Sequence, residues 1–389
     1  MSFFIKNDRS EMLDFDTINF IDDENVFRLS SSSRDESISI AYPFDAVDKS
    51  FENKDMMIFF FHNTYLQSEN DVFQVYINNN RIGWIFPLQS IITEENDFSQ
   101  NSYFNKYKYV TYKEILKNNS SYKNFTPVSD NLYKLDDFFP DDIIILCVSV
   151  EKLSDDFSIE NYLPSLCNFG YYIQNDNPYI NSINNNKLPL FAEYKGKSKL
   201  KIEPSKVNIE EHFFIKNLYI NHLKRIDDTT LKFFLLYQVV EYLIEKEFNI
   251  KFDKALEDYN NSRIDKNNFR EKLNSYSKER NLIKSFTTDF SLPEKLSIDL
   301  SRDLRLMLDE LLPDYDKSDI GDLIYDLRNI LIHRYRDIDI LDKEKLNLFD
   351  LITNQIELAI NHYLINYSRN TDYLQNIDEF KDQYKIAFP

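Results

Sequence analysis

The sequence predicts an α+β chain, with a β-rich N-terminal half followed by an all-helical C-terminal half. Three observations predict it. Strand-length apolar runs and an alternating hairpin pattern fill the region before Pro204. Glycine occurs only four times in 389 residues, and none lies between Gly196 and Gly321. Over that same stretch the apolar period lengthens from two residues toward 3.6. The implied domains are residues 1–204, β-rich, and residues 205–389, a helical bundle.

The elements follow in order. Residues 1–40 are polar and acidic, with "SSSRDES" at 31–37, and read as a partly ordered arm. "MMIFFFH" (56–62) has the length of a buried strand. "DVFQVYINNNRIGWIFPL" (71–88) reads as a hairpin: Val72, Gln74, Tyr76 and Asn78 share one face, Phe73, Val75 and Ile77 the other, and "NNNRIG" supplies the turn. "DDIIILCVSV" (141–150) is apolar on both faces, which suits a central strand. "LPLFAEYKGKSKLKIEP" (188–204) suggests a second hairpin turning at Lys195, Gly196 and Lys197.

Beyond Pro204 the reading is helical. A first amphipathic helix spans 210–224. A second, over 227–248, opens with Asp227 or Asp228 as N-cap. Its body is apolar nearly all round, apart from a stripe of Gln238, Glu241 and Glu245, and it should be buried at the centre. Further helices are expected at 267–286, at 291–312 with Pro293 in its first turn, at 318–337 and at 343–367. There is no internal repeat.

Charge and composition exclude several functions. The formal net charge is −19, so the chain as a whole repels nucleic-acid phosphates, and a nucleic-acid partner must meet a local basic patch. Residues 1–200 carry 18 basic against 30 acidic side chains, and 201–389 carry 28 against 35. The helical half also clusters its cations, at Lys278, Arg280 and Lys284 and at Arg328, Arg334 and Arg336, which hints at where an anion would bind. Cys147 and Cys167 lack CxxC spacing, so neither a disulfide framework nor a thiolate zinc site is expected. The five histidines show no metal-ligand spacing, so no metal is expected. The scarcity of glycine argues against phosphate-cradling loops, and no cofactor is expected. The acidic turn "DDFFPDD" (136–142) reads as a solvated loop, with a Ca²⁺ site as the less favoured alternative. There is no signal-peptide pattern at the N-terminus and no apolar run of bilayer-spanning length. The expectation is a cytoplasmic protein without a membrane partner.

One segment carries chemistry, "YDLRNILIHRYRD" (325–337). On a helix turning about 100° per residue, Leu323, Leu327 and Ile330 form a core stripe. Tyr325, Asn329 and His333 fall together on the opposite side. Arg328 and His333 lie roughly 140° apart, flanking a surface. Cutting RNA without a metal needs a base near the 2′-hydroxyl, a donor to the leaving oxygen and a cation for the charge on phosphorus. Histidine suits the first two because it titrates near neutrality. Arginine suits the third because its planar fork pairs with phosphate oxygens. Asn329 can donate to a phosphate or orient the imidazole. One chain supplies one such histidine, and a symmetric dimer supplies two.

"RNILIH" (328–333) resembles the R-x4-H motif of HEPN-domain ribonucleases, with the polar residue favoured there after the arginine, and "RNILIHRY" (328–335) fits the extended R-x4-H-x-Y form of HEPN toxins. The resemblance covers roughly 208–370. The large N-terminal domain before such a module is similar to the Apea-like and abortive-infection HEPN proteins of phage defence. The resemblance implies a HEPN-like helical bundle and a metal-independent, homodimeric endoribonuclease of an antiviral or toxin system. In it His333 is the general acid/base and Arg328 the phosphate clamp, with Asn329 beside it. It implies RNA as partner, whether tRNA, mRNA or rRNA, and products with 2′,3′-cyclic phosphate and 5′-hydroxyl ends. It also implies an acidic residue on an early helix near the motif arginine, a place Glu241 fills, and it matches Tyr335 to a tyrosine that some antitoxins modify with AMP. The N-terminal domain would then sense a phage-derived trigger or hold the nuclease off. An antitoxin would be a separate protein.

Simpler readings stand beside these. His333 is then a helix-end histidine favoured by the dipole, Arg328 a salt-bridge partner of Glu241, Glu241 part of a solvated stripe and Tyr335 a packing residue. The alternative for the whole is a catalytically inactive HEPN-like module that binds RNA or a protein partner.

Overall fold

The computed structural model describes residues 3–6, 11–34, 36–44, 49, 53–63, 68–93, 97–118, 126–128, 131–140, 142–174, 199–223, 226, 228–289, 292–312, 314–334 and 343–366. The fold is α+β. The chain divides into two compact units, Met1–Glu203 with Tyr219–Arg225, and Pro204–Leu218 with Ile226–Pro389.

The first unit is built on a six-stranded sheet in the order β11-β6-β10-β8-β7-β12. β10 (Ile143–Ser149) lies inside it, antiparallel to β6 (Met56–Asn63) on one side and β8 (Asn80–Pro87) on the other. All seven of its residues are buried, as a strand apolar on both faces requires. β7 (Phe73–Ile77) and β8 form the hairpin read from the sequence. Asn78 and Asn79 both take positive φ, 48° and 68°. That is the left-handed geometry of a two-residue hairpin turn, and asparagine tolerates it. Gly83 in β8 sits against β10 so closely that a Cβ there would collide with the Cys147 carbonyl oxygen and lie 2.8 Å from Val148 Cα. β11 (Tyr171–Ile173) pairs with β6, following the short α2 (Leu163–Cys167).

Two readings of this half change. Where a partly ordered arm was expected, the described residues between 3 and 41 form strands: β1 (Phe3–Lys6) pairs with β2 (Met12–Phe15), and β3 (Thr17–Ile21), β4 (Val26–Ser31) and β5 (Glu36–Ala41) form a second sheet completed by β9 (Leu132–Tyr133). Their polar residues lie on the outer face, while Phe3, Ile5, Phe15, Phe27, Leu29 and Ile40 are wholly buried. Secondly, α1 (Ser102–Asn118) is a helix although rich in tyrosine. The Asn101 carboxamide oxygen accepts from the Tyr103 and Phe104 amides at 3.1 and 3.0 Å and starts it. Burial of Phe104, Val110, Tyr112, Ile115 and Leu116 outweighs the poor local propensity. The hairpin read over 188–204 lies largely outside the described residues; its described part includes β12 (Lys199–Lys201), which pairs parallel with β7.

The second unit is helical. The segment read as one helix over 210–224 is broken into a 3₁₀ turn (Ile209–Glu211), the short α3 (Phe213–Asn217) and a π turn (Leu218–His222), of which Tyr219–His222 belong to the first unit. α4 (Thr229–Asn260) is capped by Asp228, which accepts from the Leu231 amide at 2.9 Å. The helix read over 267–286 is two, α5 (Lys266–Tyr276) and α6 (Glu279–Asp289). α7 (Glu294–Leu311), α8 (Ile320–His333) and α9 (Lys343–Asn366) follow. The main packing runs α4 to α9, α9 to α7, α7 to α8, α8 to α6 and α6 back to α4, a closed ring of five helices.

α9 is buried on nearly every side, including Thr353, Asn354, Gln355, Glu357 and Asn361. Several of these polar side chains meet partners on the neighbouring helices. Lys232 of α4, only 2% exposed, reaches Glu357 at 2.6 Å and Asn354 at 2.8 Å. The Gln355 amide donates to Asp303 of α7 at 2.7 Å. At the other end Ser205 Oγ and the Lys206 amide donate to the Leu364 carbonyl, at 3.1 and 2.7 Å.

Candidate functional site

α8 is set by its sequence. Asp319 accepts from the Asp322 amide at 3.1 Å and starts the helix. Leu323, Ile324, Leu327, Ile330 and Leu331 are buried along one stripe. The Arg334 amide closes the last turn on the Ile330 carbonyl at 2.7 Å. The helix is shorter than the expected 318–337; residues 335–337 lie outside the described residues.

Ion pairs fix its N-terminal half. Asp322 receives Arg280 of α6 at 2.5 Å and Lys284 at 2.7 Å. Asp326 receives Lys317 at 2.5 Å and the Tyr315 hydroxyl at 2.8 Å, with Arg280 at 3.7 Å. Burial opposes ionisation of Asp322, but the hydrogen bonds from Lys284 and Arg280 prevail and hold its carboxyl below the usual value. Arg280 and Lys284, two cations of the cluster read from the sequence, are thus already matched by carboxylates of α8. Lys278 and Arg334 are exposed, and Arg336 lies outside the described residues.

Arg328 faces α4 and α6. Its Nη2 donates to Glu241 Oε1 at 3.2 Å, across 87 residues of sequence, and lies 3.9 Å from Glu279 Oε1. Its Nη1 donates to Asn329 Oδ1 at 3.1 Å. The guanidinium carbon stands 5.3 Å from the centre of the Tyr237 ring, a cation–π arrangement. Tyr237 in turn donates its hydroxyl to Glu279 at 2.8 Å. Burial, then that hydrogen bond, pushes the phenol far up, so it stays a protonated donor. Arg328 Nε is buried with no hydrogen-bond acceptor among the described residues.

Asn329 is partly buried and spends its amide oxygen on Arg328. His333 is the last residue of α8, exposed, with no hydrogen bond or ion pair among the described residues. It lies about 7.5 Å along the axis from Arg328 and about 140° around it. Tyr335 lies outside the described residues. One chain therefore brings Arg328, Asn329 and Glu241 into contact and leaves His333 apart at the helix end.

Two residues of this cluster escaped the sequence reading. Tyr237 lies one turn before Glu241 on α4, so i, i+4 spacing from Glu241 would have found it. Glu279 gave no signal, because it opens a helix that was read as the continuation of another.

Among the described residues, no group of three or more His, Cys, Asp or Glu side chains is arranged to hold a metal ion, and no helix is long and apolar enough to cross a membrane. Cys147 and Cys167 are both buried, and burial pushes the Cys147 thiol up to about 12. Comparison with protein families, with curated proteins and with solved structures finds no match to this chain.

Proposed function

We propose that the chain is a metal-independent endoribonuclease of an antiviral or toxin system, working in the cytoplasm as a homodimer on RNA. In the reaction a base takes the proton of a 2′-hydroxyl, and the 2′-oxygen attacks the adjacent phosphorus. The bond to the 5′-oxygen breaks, and an acid returns a proton to that oxygen. Products carry 2′,3′-cyclic phosphate and 5′-hydroxyl ends. Two His333 side chains, one from each copy, take the roles of base and acid, and Arg328 holds the phosphoryl oxygens through the transition state.

The observation that carries this reading is the state of Arg328. Its guanidinium is anchored by Glu241, Asn329 and the face of Tyr237, yet its Nε–H is buried without an acceptor. An unsatisfied buried donor costs about 1–3 kcal/mol, and a phosphate oxygen would satisfy it once the guanidinium shifts to open Nε to the surface. The exposed His333, nearly one and a half turns on, would supply one half of the proton chemistry, and the His333 of a second copy the other half.

The test is RNA cleavage in EDTA by the purified protein and its Arg328→Ala and His333→Ala variants. The wild type should yield cyclic-phosphate ends, and His333→Ala should lose about 10²-fold or more, the lower range of general acid–base catalysis. Equal activity in all three, or none in any, ends the nuclease reading. A second reading has its own support: Glu241 and Glu279 together outweigh the one charge of Arg328. That favours an inactive HEPN-like module in which Arg328 is structural. It would show as RNA or protein binding unaffected by His333→Ala.

A further inference from the structure

One edge of the six-stranded sheet brings three cations together among aromatic side chains. β8, β7 and β12 are its last three strands. Their register sets Arg81 opposite Tyr76 and Tyr76 opposite Lys201. Directly opposed residues share a face, so these three side chains form a row across three strands. Trp84, Gln74 and Lys199 form the next row. Contacts knit the rows together. The Lys199 ammonium lies 5.5 Å from the Tyr76 ring centre, and the Tyr76 hydroxyl donates to Gln74 at 2.8 Å. Arg81 lies 5.7 Å from the Trp84 ring and 5.3 Å from that of Tyr103. Lys201 donates to the Asn79 side chain at 3.1 Å. Lys199 and Lys201 are exposed, and Tyr103, in the first turn of α1, is 62% exposed.

Arg81, Lys199 and Lys201 make no ion pair among the described residues. Elsewhere Arg28, Lys49, Lys152, Arg263, Arg280, Lys284 and Arg302 each meet a carboxylate. In a chain whose acidic side chains outnumber basic ones 65 to 46, these three neighbouring cations rest on aromatic and amide groups. The buried Tyr107 phenol feels both Arg81 and Glu151, but Glu151 is turned to Lys152 at 3.1 Å. Lysines on an edge strand also deter pairing with another sheet. That use explains neither Arg81, which lies on an interior strand, nor the exposed ring of Tyr103.

We infer that this edge is a docking surface for single-stranded RNA. Arg81, Lys199 and Lys201 meet phosphates, and Tyr103 and Tyr76 offer faces on which bases stack. Strand geometry puts Lys199 and Lys201 about 6.6 Å apart and Arg81 about 10 Å from Lys201, a line of positive charge along an extended backbone. The sequence reading required a local basic patch if nucleic acid is a partner at all, and this edge supplies one within the first unit. The inference rests on the proposed ribonuclease reading in that it assigns where the substrate is captured.

The test uses the full chain carrying His333→Ala, so that RNA is bound without being cut. An unstructured, fluorescently labelled RNA of about 20 nucleotides is titrated by anisotropy between about 50 and 200 mM salt. Adding Arg81→Gln, Lys199→Gln and Lys201→Gln together should weaken binding about tenfold or more, and the salt slope should fall by about 2, since each phosphate contact on a single strand contributes about 0.7. Adding Tyr103→Ala instead should weaken binding about fivefold or more without changing the slope. An unchanged slope and affinity in the triple variant overturns the inference. So does an equal loss in a control of the same charge change, Lys152→Gln, Arg263→Gln and Lys272→Gln, or failure of the parent to bind. Melting curves confirm that each variant is folded. If the patch binds RNA but the wild type cuts none, only the nuclease reading falls. If the wild type cuts RNA and the triple variant binds and cuts equally well, only the patch falls.

Discussion

Replacing Lys232 by methionine should cost the helical unit far more than an ordinary lysine substitution. Lys232 and Glu357 are both 2% exposed and 2.6 Å apart, and the ammonium also reaches Asn354 at 2.8 Å. Removing the cation leaves a carboxylate buried beside an unsatisfied amide. Breaking one side of a buried pair costs about 3–5 kcal/mol. For a unit of this size each kcal/mol moves the midpoint about 2–4 °C, so thermal unfolding should fall by roughly 6–20 °C. The double variant Lys232→Met with Glu357→Leu removes both charges and should recover most of the loss, because burying two apolar side chains avoids the desolvation of two ions. The effect should also reach the candidate site, since Lys232 sits on α4 ahead of Tyr237 and Glu241, which hold Arg328. The assay is thermal and urea unfolding followed by circular dichroism at 222 nm, with the urea midpoint and the m value compared across the wild type, both single variants and the double. A single variant that loses less than about 1 kcal/mol would refute the claim that this pair is isolated from water. A double variant no better than the singles would refute the claim that charge, and not the shape of the site, sets the cost.

Two other outcomes follow from the same kind of argument. Asp322 is held below its ordinary value of 3.8 by Lys284 and Arg280, so the stability it contributes is present above about pH 4 and is lost as pH falls through its folded value. Asp322→Asn should therefore lower stability at neutral pH and flatten the acid limb of a stability–pH profile; an acid limb as steep as that of the wild type would count against the assignment. Gly83→Ala should destabilise the first unit by at least about 1–3 kcal/mol, the cost of forcing atoms into a packed interior, because the new methyl meets the backbone of β10. Melting of the variant at the wild-type temperature would mean that β8 and β10 separate easily.

The architecture was legible where burial and period agreed. β10 announced itself by an unbroken apolar run, the β7–β8 hairpin by alternation around two asparagines, and α4 by a long apolar body behind Asp228. It was illegible where local and tertiary preferences conflicted. α1 has the composition of a strand and is helical because α1 buries Phe104, Tyr112 and Leu116. The first forty residues hid five short strands whose outward residues are mostly polar. The break between α5 and α6 falls at Ser277 and Lys278, with no glycine or proline to mark it. At the candidate site, the contact between Glu241 and Arg328 was within reach of spacing arguments. The neutralisation of Arg280 and Lys284 by Asp322 and Asp326 was not, because it depends on which faces of α6 and α8 meet.

The closed helical ring has a consequence for how the protein is made. α9 is the helix most nearly buried on every side, and it is also the last of the five to leave the ribosome. Until it arrives, α4 and α7 have no partner for the faces that will enclose it, and Lys232 and Asp303 have no Glu357 or Gln355 to meet. A nascent chain therefore carries exposed apolar surface and unmatched charge until late in its synthesis, the condition under which chains aggregate or engage chaperones. The helices that carry Arg328 and Glu241 gain their final support only at that point. For the proposed ribonuclease, assembly of the site would be postponed until translation of its own message has passed through α9.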